Sequence, residues 1–297
     1  MHTILITGKN GQVGWELVRT LAPLGRIIAI DVDEVDFTKP ETIRSFIRDI
    51  PELNLIVNPA AYTNVDGAED APGLARQING DAPAVLAEEA KKRGIPMIHY
   101  STDYIFDGTK TEPYTETDEA NPLSVYGQTK WEGEQAVRSI LPQHLILRLC
   151  WVYGARGKNF LLTMLRLAKQ GTVPKVVCDQ FGAPTWCRMI AEATALMAHS
   201  ILRQPTNNIW GTYHLAASGS TSWHGFATEI YRSANERFGW KNGVPIAIPS
   251  TDYPTPAKRP QYSLLSAAKI AETFGIILPV WQEQLKTTLA GSLPSDL

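Results

Sequence analysis

Thr3-Ile4-Leu5-Ile6-Thr7-Gly8-Lys9-Asn10-Gly11-Gln12-Val13-Gly14 is the stretch on which the fold of this chain turns. Its first five residues form a short apolar run of the kind that makes a strand buried on both faces. Three glycines follow at Gly-x-x-Gly-x-x-Gly spacing, and then a helical pattern places Val13, Leu17, Val18 and Leu21 on one side. Glycines at a strand-to-helix turn permit tight backbone conformations and the close approach of a pyrophosphate. The helix N-terminus adds unpaired N–H groups and a partial positive charge. Gly8, Gly11, Gln12, Val13 and Gly14 are therefore candidate cofactor-binding residues. Asp31, at the end of the next apolar run, stands where a carboxylate accepts hydrogen bonds from the adenosine ribose. It repels a 2′-phosphate, so NADH is favoured over NADPH as cofactor, with Lys9 and Arg26 as residues able to soften the preference.

The same rhythm continues outward. Arg26–Ile30, Leu53–Val57, Pro96–Tyr100 and Leu145–Leu149 read as further strands, separated by helical patterns. Leu74–Arg93 is one such helix, stopped by Gly94. Alternating strands and helices predict an α/β, Rossmann-like doubly wound parallel sheet. Beyond about Tyr153 the rhythm weakens. Helices around Phe160–Lys169, Met189–Leu202 and Phe226–Arg237 alternate with loops rich in Pro, Gly, Ser and Thr. Residues 1–154 are expected to form the dinucleotide-binding domain. Residues 155–297 are expected to form mainly a smaller C-terminal substrate-binding domain, with later segments free to return to the first. Pro245–Pro260 reads as a stiff extended loop.

Composition narrows the function classes. The chain has 297 residues, 44% hydrophobic and 20% charged, with a formal net charge of -2. That balance offers no electrostatic footprint for nucleic acid or a membrane surface. Cys150, Cys178 and Cys187 are odd in number and lack Cys-x-x-Cys spacing, which argues against a disulfide framework or a cysteine zinc site. No apolar stretch reaches spanning length and no signal-peptide pattern opens the sequence. A cytoplasmic location is expected. Of the histidines, His2 and His99 read as structural; His214 and His224 fall in the second half, where no motif assigns them a role.

The chemistry lies between these landmarks. Tyr126 and Lys130 in Ser124-Val125-Tyr126-Gly127-Gln128-Thr129-Lys130 share one helix face. An ammonium beside a phenol eases its ionisation, so the pair suits proton transfer near neutral pH. Thr102, in Tyr100-Ser101-Thr102-Asp103-Tyr104, follows the fourth strand, and strand C-termini line the ligand crevice of such a sheet. Asn58-Pro59-Ala60-Ala61-Tyr62-Thr63 follows the third strand, where Ala60, Ala61 and Tyr62 are placed against the cofactor.

Gly8/Gly11/Gly14, Thr102, Tyr126 and Lys130 together resemble the extended short-chain dehydrogenase/reductase superfamily. Within it, Gly8–Leu17, Ser101–Gly108, Asn121–Gly127, Arg148–Gly154, Asp179–Thr185 and Arg259-Pro260 are similar to the dTDP-4-dehydrorhamnose reductase family. The resemblance implies NAD(P)H-dependent reduction of a dTDP-linked 4-keto-6-deoxy sugar, with Thr102, Tyr126 and Lys130 catalytic. It implies further cofactor contacts at Asp36 and Phe37, substrate contacts at Thr102, Asp103, Trp151 and Arg259, and a homodimer. Tyr62 departs from the family's His. Some relatives hold magnesium between subunits, but here only Glu16 matches a ligand, while Arg188 and the Ser292-Leu293-Pro294 tail offer none; no metal is expected. Two rival readings remain. A 4,6-dehydratase or 4-epimerase of nucleotide sugars is the first, although a dehydratase resembles Thr-Asp-Glu where this chain has Tyr104. A non-catalytic, cofactor-binding regulatory subunit of the same fold is the second.

Overall fold

A computed structural model describes residues 1–203, 209–291, 293 and 294. The first half alternates β1 (His2–Ile6), α1 (Gln12–Thr20), β2 (Gly25–Ala29), α2 (Pro40–Arg48), β3 (Leu53–Asn58), α3 (Val65–Asp70), α4 (Pro72–Arg76), α5 (Ala82–Arg93), β4 (Met97–Thr102), α6 (Val125–Ile140) and β5 (His144–Leu149). The second half carries β6 (Val152–Tyr153), α7 (Phe160–Lys169), β7 (Lys175–Val177), β8 (Phe181–Gly182), β9 (Thr185–Trp186) and α8 (Cys187–Arg203). It continues with β10 (Gly211–His214), β11 (Thr221–Ser222), α9 (Trp223–Phe238), β12 (Ile246–Ile248), α10 (Ala268–Phe274) and α11 (Trp281–Ala290).

The large sheet has six parallel strands in the order β2-β1-β3-β4-β5-β10. Its strand order reverses at β1, which opens a crevice outside the carboxyl ends of β1 and β3. Both faces are covered, so the strands are apolar almost throughout. Leu17, Ile190, Met197 and Ile201 from α1 and α8 pack one face; Ile43, Leu86, Val137 and their neighbours from α2, α5 and α6 pack the other. A third core, around Trp151, Leu161, Phe226, Trp281 and Leu285, holds α7, α9 and α11 together.

Three sequence expectations are refined. The helix expected over Leu74–Arg93 is broken by a π turn at Gln77–Asp81 between α4 and α5. Pro83 has no N–H to give the carbonyl of Asn79, so the regular α bond at that step is missing. That carbonyl faces Gly133 of α6, where an added Cβ would stand 2.1 Å from it. Gly94 does end α5 in the left-handed conformation, at φ 64°. Inside Pro245–Pro260, β12 pairs with β7 and a 3-10 turn covers Ser250–Asp252, so the loop is partly regular. Finally, β10 and α8 lie beyond residue 154 yet complete the large sheet and its helical cover.

Candidate active site

At the carboxyl end of β1 the glycines do distinct things. Gly8 adopts φ 60°, and a Cβ there would lie 2.9 Å from Ala60 Cα after β3. A Cβ on Gly14 would meet the Gly8 carbonyl oxygen at 2.0 Å, so only glycine lets α1 settle onto the loop. Gly11 caps α1 without a side-chain bond, leaving the first-turn N–H groups to an incoming anion. These close approaches are the cradle that a dinucleotide needs. Asp31 braces it: its carboxylate accepts from Asn10 N and Val32 N, each at 2.8 Å. Lys9 bonds Glu34, whose other oxygen accepts from Asp31 N at 2.8 Å. Arg26 is exposed near the amino end of β2, away from the crevice. Neither cation pairs with Asp31.

Of the other expected cofactor residues, Ala60 lies against Gly8, while Asp36 and Phe37 follow β2. Gln12 accepts from Asn159 Nδ2 at 2.9 Å, and Val13 packs on both neighbouring cores. Asp36 binds Thr38 and Lys39, whose contacts hold its carboxyl down at about 2, while Phe37 is buried in the sheet's core. Ala60 N donates to Thr7 Oγ1, which in turn donates to Asn58 Oδ1. Ala61 adjoins Tyr62, whose backbone N–H and C=O are both held by the Asn79 side chain at 2.8 and 3.1 Å. Asn79 also donates to Thr129 of α6. The π turn thus ties the cofactor-side loop to the helix bearing Tyr126, a link that a break at Pro83 was the only sequence signal for.

Thr102 ends β4 and Tyr126 stands in the first turn of α6. Ser124 caps that helix through Gly127 N, and Glu69 accepts from Val125 N at 2.8 Å. A Cβ on Gly127 would meet the Tyr104 carbonyl oxygen at 2.2 Å. Gly127 is therefore what lets the helix start sit against the β4 turn, and sequence reading passed over it. Tyr104 and Tyr126 meet edge to face, 5.9 Å between centroids. Burial pushes the Tyr126 phenol up to about 12, opposed by the Thr102 side chain and reinforced by the Asp103 carboxylate. Lys130 is 2% exposed, donates to the Tyr100 carbonyl at 2.6 Å, and is pushed by burial down to about 8. Burial of the Tyr126 phenol opposes the eased ionisation expected from the Tyr–Lys spacing. Desolvation of the phenolate dominates, and the ammonium is directed at a backbone carbonyl.

Asp103 is buried beside Thr102, from which its Oδ1 accepts at 3.1 Å; the Ser263 hydroxyl and Cys150 thiol also face the carboxyl, and its Oδ2 makes no hydrogen bond of normal geometry. Burial raises its carboxyl to about 6. Trp151 holds φ 45°, rare for a bulky residue, and its indole stacks on Trp223 at 3.7 Å with Gly182 against it. Arg259 forms a two-pronged pair with Asp66 at 2.8 and 3.1 Å. It also borders a cleft of about 600 Å³, lined among others by Lys110, Leu123, Phe181 and Tyr262. Among the described residues no three His, Cys, Asp or Glu side chains gather as metal ligands. Arg188 pairs with Glu192, and Ser292 lies outside the described residues.

The family described as the RmlD substrate binding domain matches residues 1–293. The dTDP-4-dehydrorhamnose reductase of Burkholderia thailandensis is 47% identical over 290 residues, covering 94% of this chain and 95% of its own. The chain belongs to the dTDP-4-dehydrorhamnose reductase family. A second member, from Escherichia coli K12, is 44% identical over 296 residues, covering 96% of both chains. A solved reductase from Bacillus anthracis, in complex with NADP, superposes with a TM-score of 0.89 at 31% identity, covering 98% of this chain and 99% of its own. The family's architecture is the one described above, an α/β protein on a central six-stranded parallel sheet. The UDP-glucose 4-epimerase of Thermus thermophilus, at 20% identity and a TM-score of 0.78 over 97% of this chain and 98% of its own, shares the fold alone.

Proposed function

We propose that this chain reduces the C4 ketone of dTDP-4-dehydro-L-rhamnose to dTDP-L-rhamnose with NADH or NADPH. What supports the reading is that Thr102 ends β4 with its side chain against the Tyr126 phenol, and that Tyr126 and Lys130 lie one turn apart on α6, in a chain 42–47% identical to proteins named as reductases of that substrate. A bound reduced nicotinamide would supply the hydride. The chain's own residues manage the oxygen. Thr102 orients the carbonyl, and Tyr126, fully protonated with its phenol near 12, delivers a proton to the oxygen as negative charge develops there. Lys130, one turn along α6 from Tyr126, would bond the nicotinamide ribose and keep a positive charge near the phenol. Asp31, without a neutralising cation, favours NADH. Asp36, Phe37, Ala60, Ala61 and Tyr62 complete the cofactor wall.

On the sugar side, Asp103 supplies its free oxygen to a hydroxyl and Trp151 forms a rigid wall braced by Trp223. Arg259, partly buried at the cleft, engages the diphosphate. The second-half elements outside the large sheet form the substrate lobe. A cytoplasmic homodimer without bound metal completes the proposal; no described helix is long and apolar enough to cross a membrane. The dehydratase alternative needs a base at Tyr104, but burial drives that phenol still further from ionisation.

Tyr126→Phe tests the reading. It is expected to bind NADH as the parent does while losing on the order of 10²–10⁴ in turnover, the usual scale of one general acid. Near-parental turnover would refute the assignment.

A further inference from the structure

One turn beyond Lys130 on α6 stands Glu134, with no exposed surface. Its carboxylate accepts from Arg148 Nε and Nη2 of β5 at 3.0 and 2.9 Å, and from Arg138 Nη2 at 2.6 Å. Arg148 is 1% exposed, and its Nη1 lies 3.3 Å from His214 Nε2 of β10. Arg138 Nη2 reaches Thr212 Oγ1, also of β10, at 2.9 Å. Desolvating such charges is costly, and apolar side chains of similar volume commonly fill the same space with equal or greater stability. Stability therefore does not account for the cluster. What it supplies is direction: a guanidinium fork on a carboxylate fixes two planes and a distance at once.

We infer that Glu134 is a positioning residue for the reduction, locking α6 against β5 so that Tyr126 and Lys130 meet the crevice at one height, and setting a buried negative charge toward Lys130. This rests on the reading of Tyr126 and Lys130 as the proton-handling pair. The groups around Lys130 leave that role to Glu134. β4 presents His99, which burial keeps neutral, and β5 presents Arg148, already engaged. The turn after β4 places Asp103 toward Tyr126. Glu69 of α3 bonds Val125 N, and Arg76 of α4 bonds Glu132 on the outer side. The π turn offers uncharged Asn79, and α5 sets Pro83 near Gly133. Burial draws Lys130 down, and Glu134 pulls it back up. Without that carboxylate the ammonium sheds its proton at lower pH, and reduction fails earlier on the alkaline side.

The test is kcat against pH with NADH and dTDP-4-dehydrorhamnose, alongside thermal melting. Glu134→Gln is expected to move the alkaline limb down by roughly one pH unit, the low end of the effect of a nearby opposite charge. Arg148→Met leaves Glu134 charged and held by Arg138, so it lowers Tm and kcat without moving the limb down. Should Glu134→Gln fail to fold, the double variant Glu134→Gln/Arg148→Met removes both buried charges, and its limb is expected below that of Arg148→Met alone. An unmoved limb in Glu134→Gln, a double-variant limb no lower than that of Arg148→Met, or a downward shift in Arg148→Met alone overturns the inference. Lys130→Met separates the two layers: if the parental limb survives in that variant, it is the reading of the site that fails.

Discussion

Asp103 carries its carboxyl into a pocket beside Thr102, Ser263 and Cys150, and burial raises it from 3.8 to about 6 against the pull of those side chains. The unfolded chain ionises this group at its ordinary value, so between those two points the folded chain binds more protons. The associated stability is fully present below the unfolded value and is lost as pH rises through about 6. Asp103→Asn removes the penalty of ionising a buried acid. Melting of the ligand-free protein is expected to show Asp103→Asn more stable than the parent at pH 8, by roughly 2–3 kcal/mol at most. The gain shrinks toward pH 4. A gain independent of pH would assign the effect to hydrogen bonding instead. Asp31 gives a second residue-scale prediction. Asp31→Ser, which removes repulsion of a 2′-phosphate, is expected to raise kcat/KM with NADPH relative to NADH by about tenfold. An unchanged ratio would move cofactor choice elsewhere.

α6 is the element on which the site depends, and its start is set by contact rather than propensity. Gly127 allows the Tyr104 carbonyl to come where a Cβ would stand at 2.2 Å, and Ser124 and Glu69 satisfy the first N–H groups. Gly127→Ala must push the turn after β4 away from the helix. Urea unfolding is expected to show a loss of roughly 1–3 kcal/mol, the scale of overpacking in a filled site, with turnover falling alongside it; full stability and turnover would show that the two segments part freely. This element also marks the limit of what sequence discloses. The strand–glycine–helix cradle and the Tyr–Lys pair were legible because their signals are local, in spacing and residue type. Gly127, Asn79 and Glu134 were not, because each acts through a partner 17 or more residues away or through one on another element: Tyr104 on the β4 turn, Tyr62 on the loop after β3, Arg148 on β5.

Across the whole molecule, the carboxyl ends of β1, β3, β4 and β5 bring Gly8, Ala60, Thr102 and Trp151 to one edge of the sheet. The second half both completes that sheet, through β10 and α8, and ties back to the first through Arg259, whose pair with Asp66 joins its loop to α3. Sequence allowed for that return but did not say which segment makes it, because four residues of β10 carry too short a pattern to distinguish one sheet from another. The arrangement serves a reductase that takes up a reduced nicotinamide and releases it oxidised, which an epimerase on the same fold does not do. The most direct measurement follows C4-deuterated NADH through a turnover with dTDP-4-dehydrorhamnose, using each stereoisomer in turn. The account predicts one NADH oxidised per dTDP-L-rhamnose formed, with deuterium from one stereoisomer at C4 of the sugar. Product formed without net NADH oxidation, or with no deuterium at C4 from either stereoisomer, would contradict it.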